Sequence, residues 1–173
     1  WIGYSSKCRL VCLLNGGFES YERQSSYRMS RGIIVKAILK SDDYENYITE
    51  FNFEGIEPFT IVLVDWSLHL ITYELVWDGQ KKHFSKLKQE PRIWSSSTLY
   101  SKEVKALRKD WFANWLRNQN KFQQKEILKF HHNSEIGTTE NSIKMKRWYV
   151  ETVSITSVQK EKNSVNMMYE SLI

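Results

Sequence analysis

Apolar and polar positions alternate in blocks that predict the elements in turn. Arg9-Leu10-Val11-Cys12-Leu13-Leu14 is a short apolar run closed by Asn15-Gly16-Gly17, the pattern of a largely buried strand ending in a turn. Residues 16–29 mix polar and aromatic side chains without a period and read as a loop. After Ser30-Arg31-Gly32, the residues Ile33, Ile34, Ala37 and Ile38 recur at helical spacing, with Ser30 placed to cap the helix. Ser41 reads as the cap of a second helix, with Asp42 and Asp43 in its first turn. Tyr44, Tyr47, Ile48 and Phe51 form that helix's buried stripe.

Pro58 ends the helical region, and Phe59 to Trp66 is dense in β-branched and aromatic residues, as a core strand is. A turn at Asp65-Trp66-Ser67 leads into an alternating run, Leu68 to Trp77, with Ile71, Tyr73, Leu75 and Trp77 on one side. Asp78-Gly79 signals a tight turn into a weaker strand over residues 80–88. Arg92-Ile93-Trp94-Ser95 resembles a further strand edge. Ser101 to Asn118 is the clearest helix, its stripe being Val104, Leu107, Trp111 and Trp115, widened by Phe112 and Leu116. A basic helix over residues 122–132 follows, then a polar turn-rich stretch over 133–142. Trp148 to Val158 alternates strictly, and a last strand spans Val165 to Tyr169. Strand, helices, hairpin, helices, hairpin is neither regular β-α-β alternation nor all-β, and predicts an α+β domain with mostly antiparallel sheet. No repeat or linker divides the chain, so residues 1–173 read as a single domain.

Composition supports a globular protein. Of 173 residues, 41% are hydrophobic and 14% aromatic, which argues against wholesale disorder. The net charge is +5 and uneven: residues 101–135 carry eight Lys/Arg against four Asp/Glu. Arg108, Lys109 and Arg117 interleave with Trp111, Phe112 and Trp115, a combination that can stack on single-stranded nucleic acid. A core stripe with a solvated basic back explains it better, and no nucleic-acid partner is expected. Cys8 and Cys12, if both lay on one strand, would sit about 13 Å apart on one face, too far for a disulfide. Two free thiols suggest a reducing, cytoplasmic setting. No run reaches the roughly 20 apolar residues of a membrane span.

Chemistry is sparse. His131 and His132 are adjacent, so on a helix they diverge by about 100° and do not readily share one ion. There is no metal-site spacing, no P-loop and no G-x-S-x-G elbow, so no cofactor or metal is expected. Trp94-Ser95-Ser96-Ser97-Thr98 gathers four hydroxyls before a helix start. Such a segment either presents hydroxyls and N–H groups to an anion or caps the helix near Ser101, and spacing alone favours capping.

Several short segments, in order, resemble the NRDE family, which includes the transport-and-Golgi-organisation proteins. Trp1-Ile2-Gly3 and Leu13-Leu14-Asn15 resemble its early Trp-Gly segment and the strand after it. Ser30-Arg31-Gly32 matches a Ser-Arg-Gly that opens a helix. Phe59-Thr60-Ile61 and Asp65 resemble a later strand and turn, with Thr60 in place of the usual Asn. Trp94-Ser95-Ser96-Ser97 stands where the family has Leu-Ser-Asn. The resemblance implies the fold of N-terminal nucleophile hydrolases, an αββα sandwich of two antiparallel sheets between helical layers. It implies C–N (amide) hydrolysis by an N-terminal Cys whose own amino group is the base.

The family's Met-Cys start and its Asn-Arg-Asp-Glu motif do not occur in this chain. The expectation is therefore an N-terminally truncated, C-terminal portion of the domain, missing the N-terminal strands and the nucleophile, and not catalytic as it stands. Cys8 and Cys12 are internal and offer no free amino group. The resemblance assigns Asn15 as an amide donor near the reacting carbonyl, Arg31 as an orienting residue, and Ser96 and Ser97 as pocket lining. Bland roles stand beside these: Asn15 as a turn former, Arg31 in an ion pair, the serines as caps. The alternative function is a non-enzymatic carrier or trafficking factor for an apolar ligand such as lipid or haem, with His69, His83 or the histidine pair as candidate haem ligands.

Overall fold

The computed structural model describes residues 1–119 and 122–173. The chain divides into two compact units, Trp1–Lys102 and Glu103–Ile173. It is an α+β protein with antiparallel sheets throughout.

The first unit is a five-stranded meander. Strands β1 (Ile2–Ser5), β2 (Arg9–Asn15), β3 (Phe59–Asp65), β4 (Ile71–Trp77) and β5 (Lys82–Leu87) lie side by side in chain order. Helices α1 (Arg31–Lys40) and α2 (Tyr44–Glu50) connect β2 to β3. Register decides which side chains reach the core. Leu13 faces Ile61, which faces Leu75; Val11 faces Leu63, which faces Tyr73. These residues share one sheet face and bury against Ile34, Val35 and Ile38 of α1 and Ile48 of α2. Trp77 and Phe53 close the core's end, where the indole N–H donates to the Ile56 carbonyl at 2.8 Å.

One charged pair lies inside this unit. Arg9 and Asp65 are 5% and 3% exposed, face each other across β2 and β3, and approach to 3.6 Å. Arg9 Nη1 donates to the carbonyls of Ile38 (3.0 Å) and Ser41 (2.7 Å), which end α1. Its guanidinium also stacks 4.5 Å from the centre of the Tyr44 ring. One side chain thus holds the sheet, the end of α1 and the start of α2. Burial, with the Asp65 charge next in size, pushes the Tyr44 phenol well above its ordinary value.

The second unit contains α3 (Lys102–Arg117, whose first residue belongs to the first unit), α4 (Gln124–His131) and the hairpin β6 (Ser154–Glu161) with β7 (Ser164–Ser171). Phe112 and Trp115 of α3 pack on Phe130 of α4 at centroid distances of 5.7 and 5.1 Å. Buried Arg108 continues that stripe one turn earlier and donates to the carbonyls of Asn141 (3.0 Å) and Ser142 (2.6 Å).

Several sequence expectations shift. Ile2–Ser5 is a strand, although the opening residues showed no pattern. The cap of α2 is Asp43, whose carboxylate accepts from Asn46 N–H at 2.9 Å; Ser41 instead ends α1. β4 starts at Ile71, and Leu68 is 93% exposed, because the turn after Asp65 uses up the first residues of the alternating run. Residues 92–95 form no strand. The alternation from Trp148 belongs to a strand only from Ser154, and Trp148 itself is almost wholly exposed. In α3, Leu107 is exposed and Arg108 takes the inner position, since its long stem reaches carbonyls that a leucine could not satisfy. Cys8 lies outside β2 in a turn, at φ 58°, and both cysteines are free.

Asp65→Ala leaves the Arg9 charge buried without its carboxylate. Urea unfolding should show a loss of about 3–5 kcal/mol. The double variant Arg9→Met/Asp65→Leu removes both charges but also takes the donor from the Ile38 and Ser41 carbonyls, so it should recover only a small part of that loss.

Candidate functional site

The end of β2 and the turn after it form a hub. Gly16 adopts φ 84°, a conformation that glycine takes at little cost, and a Cβ there would overlap the Ser97 hydroxyl. Its N–H donates to the Pro58 carbonyl at 3.0 Å, and its carbonyl accepts from Thr60 Oγ1 at 3.0 Å. Thr60, which stands where the resemblance expects Asn, thus fastens β3 to this turn. Gly17 packs against the backbone of Trp77 and Asp78.

Three of the four residues singled out from the sequence meet directly here. Ser96 donates its hydroxyl to the Asn15 carbonyl at 2.6 Å and shares a 2.9 Å bond with Thr98. Ser97 is 4% exposed, lies against Gly16, and its hydroxyl has no hydrogen-bond partner among the described residues. The Asn15 side chain is exposed at the strand end. The fourth, Arg31, is tied to the hub through Pro58, whose carbonyl accepts from Arg31 Nη1 at 3.0 Å as well as from Gly16. Arg31 Nη2 is also paired with Glu57 at 2.9 Å, so its guanidinium is already committed to protein groups.

Glu57 collects further partners. Tyr21 donates to it at 2.8 Å, and Arg23 approaches to 3.6 Å. Burial first, then the hydrogen bond and charge of Glu57, push the Tyr21 phenol from 10.0 up to about 12. On the other flank of the turn, Phe18 meets the His83 ring edge-on at 4.9 Å, and His83 Nε2 lies 2.7 Å from Asp78. Burial would raise the Asp78 carboxyl, but bonds from Lys81 N–H, His83 and Gln80 N–H outweigh it and hold the group below its usual value.

The cluster offers donors and hydroxyls for a polar ligand atom. Cys12 does not join it: β2 alternation places its thiol on the face opposite Leu13, and burial raises its pKa. A thiol so held is a poor nucleophile. Among the described residues no group of three or more His, Cys, Asp or Glu side chains is placed to hold a metal ion. His132 is bonded to Glu170 at 3.0 Å. No helix among the described residues is long and apolar enough to cross a membrane.

A sequence model of the family described as Transport and Golgi organisation 2 matches residues 1–171. The chain belongs to that family. No curated protein and no solved structure matches it. The family match extends over both compact units and every residue of the hub.

Sequence reasoning missed Tyr21 and Glu57; it read Gly16 only as part of a turn and Thr98 only as one of the four hydroxyls of its segment. Tyr21 stands in a loop without a period, and Glu57 reads as an ordinary acid before a proline. The positive φ of Gly16 was signalled only by the Asn-Gly-Gly turn.

Two variants separate the serine roles. Ser96→Ala loses a bond that joins two segments 81 residues apart and should cost about 0.5–1.5 kcal/mol in urea unfolding. Ser97→Ala removes a hydroxyl that has no partner and should be neutral or slightly stabilising. The folded-state pKa of Tyr21 lies above its unfolded value, so its contribution is complete below pH 10 and is lost as pH rises towards 12. Stability measured across that range should fall less steeply in Tyr21→Phe than in the parent.

Proposed function

We propose that the hub around Gly16 is the substrate-positioning side of an N-terminal-nucleophile-type amide hydrolase, with the nucleophilic cysteine supplied by residues preceding Trp1. The observation that carries this reading is the junction of β2 with the hydroxyl-rich loop. Ser96 holds the Asn15 carbonyl, which fixes the backbone at that point, and Asn15 is exposed, so its carboxamide is open to a ligand. A donor on a held backbone needs less reorganisation to stabilise a developing oxyanion. Arg31, engaged by Glu57 and Pro58, acts as a brace for the turn in this reading, and Ser97 lines the pocket. Both compact units form one domain in this reading, supported by a family match that crosses them. Two free cysteines support a cytoplasmic setting.

A second reading, carriage of an apolar ligand, draws on a cleft in the second unit. Phe122, Ile127, Leu128, Ile143, Ile155 and Val158 line it together with a larger number of polar residues, among them Gln124, Thr156 and Gln159, and its volume is about 700 Å³. That size suits a small-molecule site. His131 also lines it, whereas His69 and His83 do not.

The test uses the protein extended to its native start, incubated with a panel of amides and followed by amine release. Asn15→Ala should lower kcat by roughly 10²- to 10³-fold while the circular dichroism spectrum stays unchanged. A native start without cysteine, or no amine released from any amide, rejects the hydrolase reading, and activity indifferent to Asn15→Ala rejects the role of Asn15 in it. The same preparation, examined by native mass spectrometry and by haem titration, decides the second: retained lipid or a shifted haem band supports carriage, and neither argues against it.

A further inference from the structure

Asn15-Gly16 is the single Asn-Gly pair in the sequence. Of all following residues, glycine leaves an asparagine most open to deamidation, because no side chain hinders the next backbone nitrogen from reaching the carboxamide carbon. The structure explains why glycine stands there. Gly16 holds φ 84°, and a Cβ would overlap the Ser97 hydroxyl, so a bulkier and chemically safer residue does not fit. The peptide group between the two residues is held from both sides. Its carbonyl, that of Asn15, accepts from the Ser96 hydroxyl at 2.6 Å, and its N–H, that of Gly16, donates to the Pro58 carbonyl at 3.0 Å. Asn15 is also paired with Phe59 as the last residue of β2, and Thr60 holds the Gly16 carbonyl. All of these groups lie within the first unit.

We propose that Asn15 is a deamidation site that the hub keeps closed. In the reaction the Gly16 nitrogen gives up its proton and bonds to the Asn15 Cγ. The Cγ–Nδ2 bond breaks, and the carboxamide nitrogen leaves with that proton as ammonia. The five-membered succinimide then takes up one water at either carbonyl. Breaking one ring C–N bond leaves an aspartate, or an isoaspartate whose chain runs through the side chain. Ring closure requires the Asn15–Gly16 peptide plane to turn about the Asn15 Cα–C bond, away from the extended setting of a strand residue. That turn breaks both hydrogen bonds on the plane, and the proton that must leave Gly16 is the one donated to Pro58. Reaction therefore waits on local opening of the hub, as amide hydrogen exchange does. Either product puts a negative charge at the end of β2. Under the hydrolase reading, on which this last consequence alone rests, a carboxylate replaces the amide donor and opposes the developing oxyanion, so deamidation ends activity.

The test incubates the protein, extended to its native start, at mildly alkaline pH with and without urea, and follows it by peptide mass mapping. The readout is amide-to-acid conversion at Asn15, which needs no activity and so stands or falls apart from the hydrolase reading. Conversion should be at least about tenfold slower in the folded protein than in urea. Ser96→Ala frees the Asn15 carbonyl and, with an unchanged circular dichroism spectrum, should speed conversion by roughly 2- to 10-fold. Ser97→Ala removes a hydroxyl that has no partner among the described residues and should match the parent. Equal rates with and without urea, no conversion in urea, or a Ser96→Ala rate no higher than that of the parent or of Ser97→Ala overturns the proposal.

Discussion

The first unit depends on a charge placed where charges are costly. Arg9 lies at the root of β2, nearly without solvent, with Asp65 beside it on β3. The pair is not a close hydrogen-bonded bridge: Arg9 Nε and the near Asp65 oxygen make no hydrogen bond to each other or to anything else. What makes the arginine tolerable is its other nitrogen, which satisfies two carbonyls at the end of α1. Those carbonyls lack intrahelical partners and would otherwise be buried unpaired. The same guanidinium lies against the Tyr44 ring at the start of α2. Asp65 in turn accepts from Ser67 N–H and hydroxyl, which shapes the exit from β3. Helix placement and strand register are thus coupled through one residue, and a slip of β2 against β3 would strand both charges.

The candidate site stands at the opposite end of the same strand. β2 begins at Arg9 and finishes at Asn15, so the anchor that sets its register also sets where Asn15 emerges. From there the geometry is mostly backbone. Gly16 N–H donates to the Pro58 carbonyl, Thr60 ties the turn to β3, and Ser96 reaches Asn15 from 81 residues away. Side chains with freedom to act on a ligand are few in such an arrangement.

The second unit solves its burial problem in a parallel way. It has a small aromatic core of Phe112, Trp115 and Phe130, and again a buried arginine, Arg108, on loop carbonyls. Its hairpin contributes little to that core, and much of β7 remains open.

Periodicity carried most elements, because burial of one face is enough to show in a pattern of two or of 3.6. The strands β2, β3 and β5, the helix α1 with its Ser30 cap, and the inward side of β4 were all legible for that reason. So was the family, through short motifs in a fixed order. Positions decided by a distant partner were not legible. Arg108 replaces Leu107 on the inner face of α3 because of carbonyls some 33 residues downstream. Asp43 rather than Ser41 caps α2 because the helix starts only at Tyr44, and the Ser41 hydroxyl is engaged by the Asp43 N–H. The bare hydroxyl of Ser97, the clustering of Tyr21 and Arg31 on Glu57, and the meeting of Asn15 with Ser96 depend likewise on segments far apart in sequence. Local pattern reports which side of an element avoids water; only the tertiary structure decides which polar groups must then find each other.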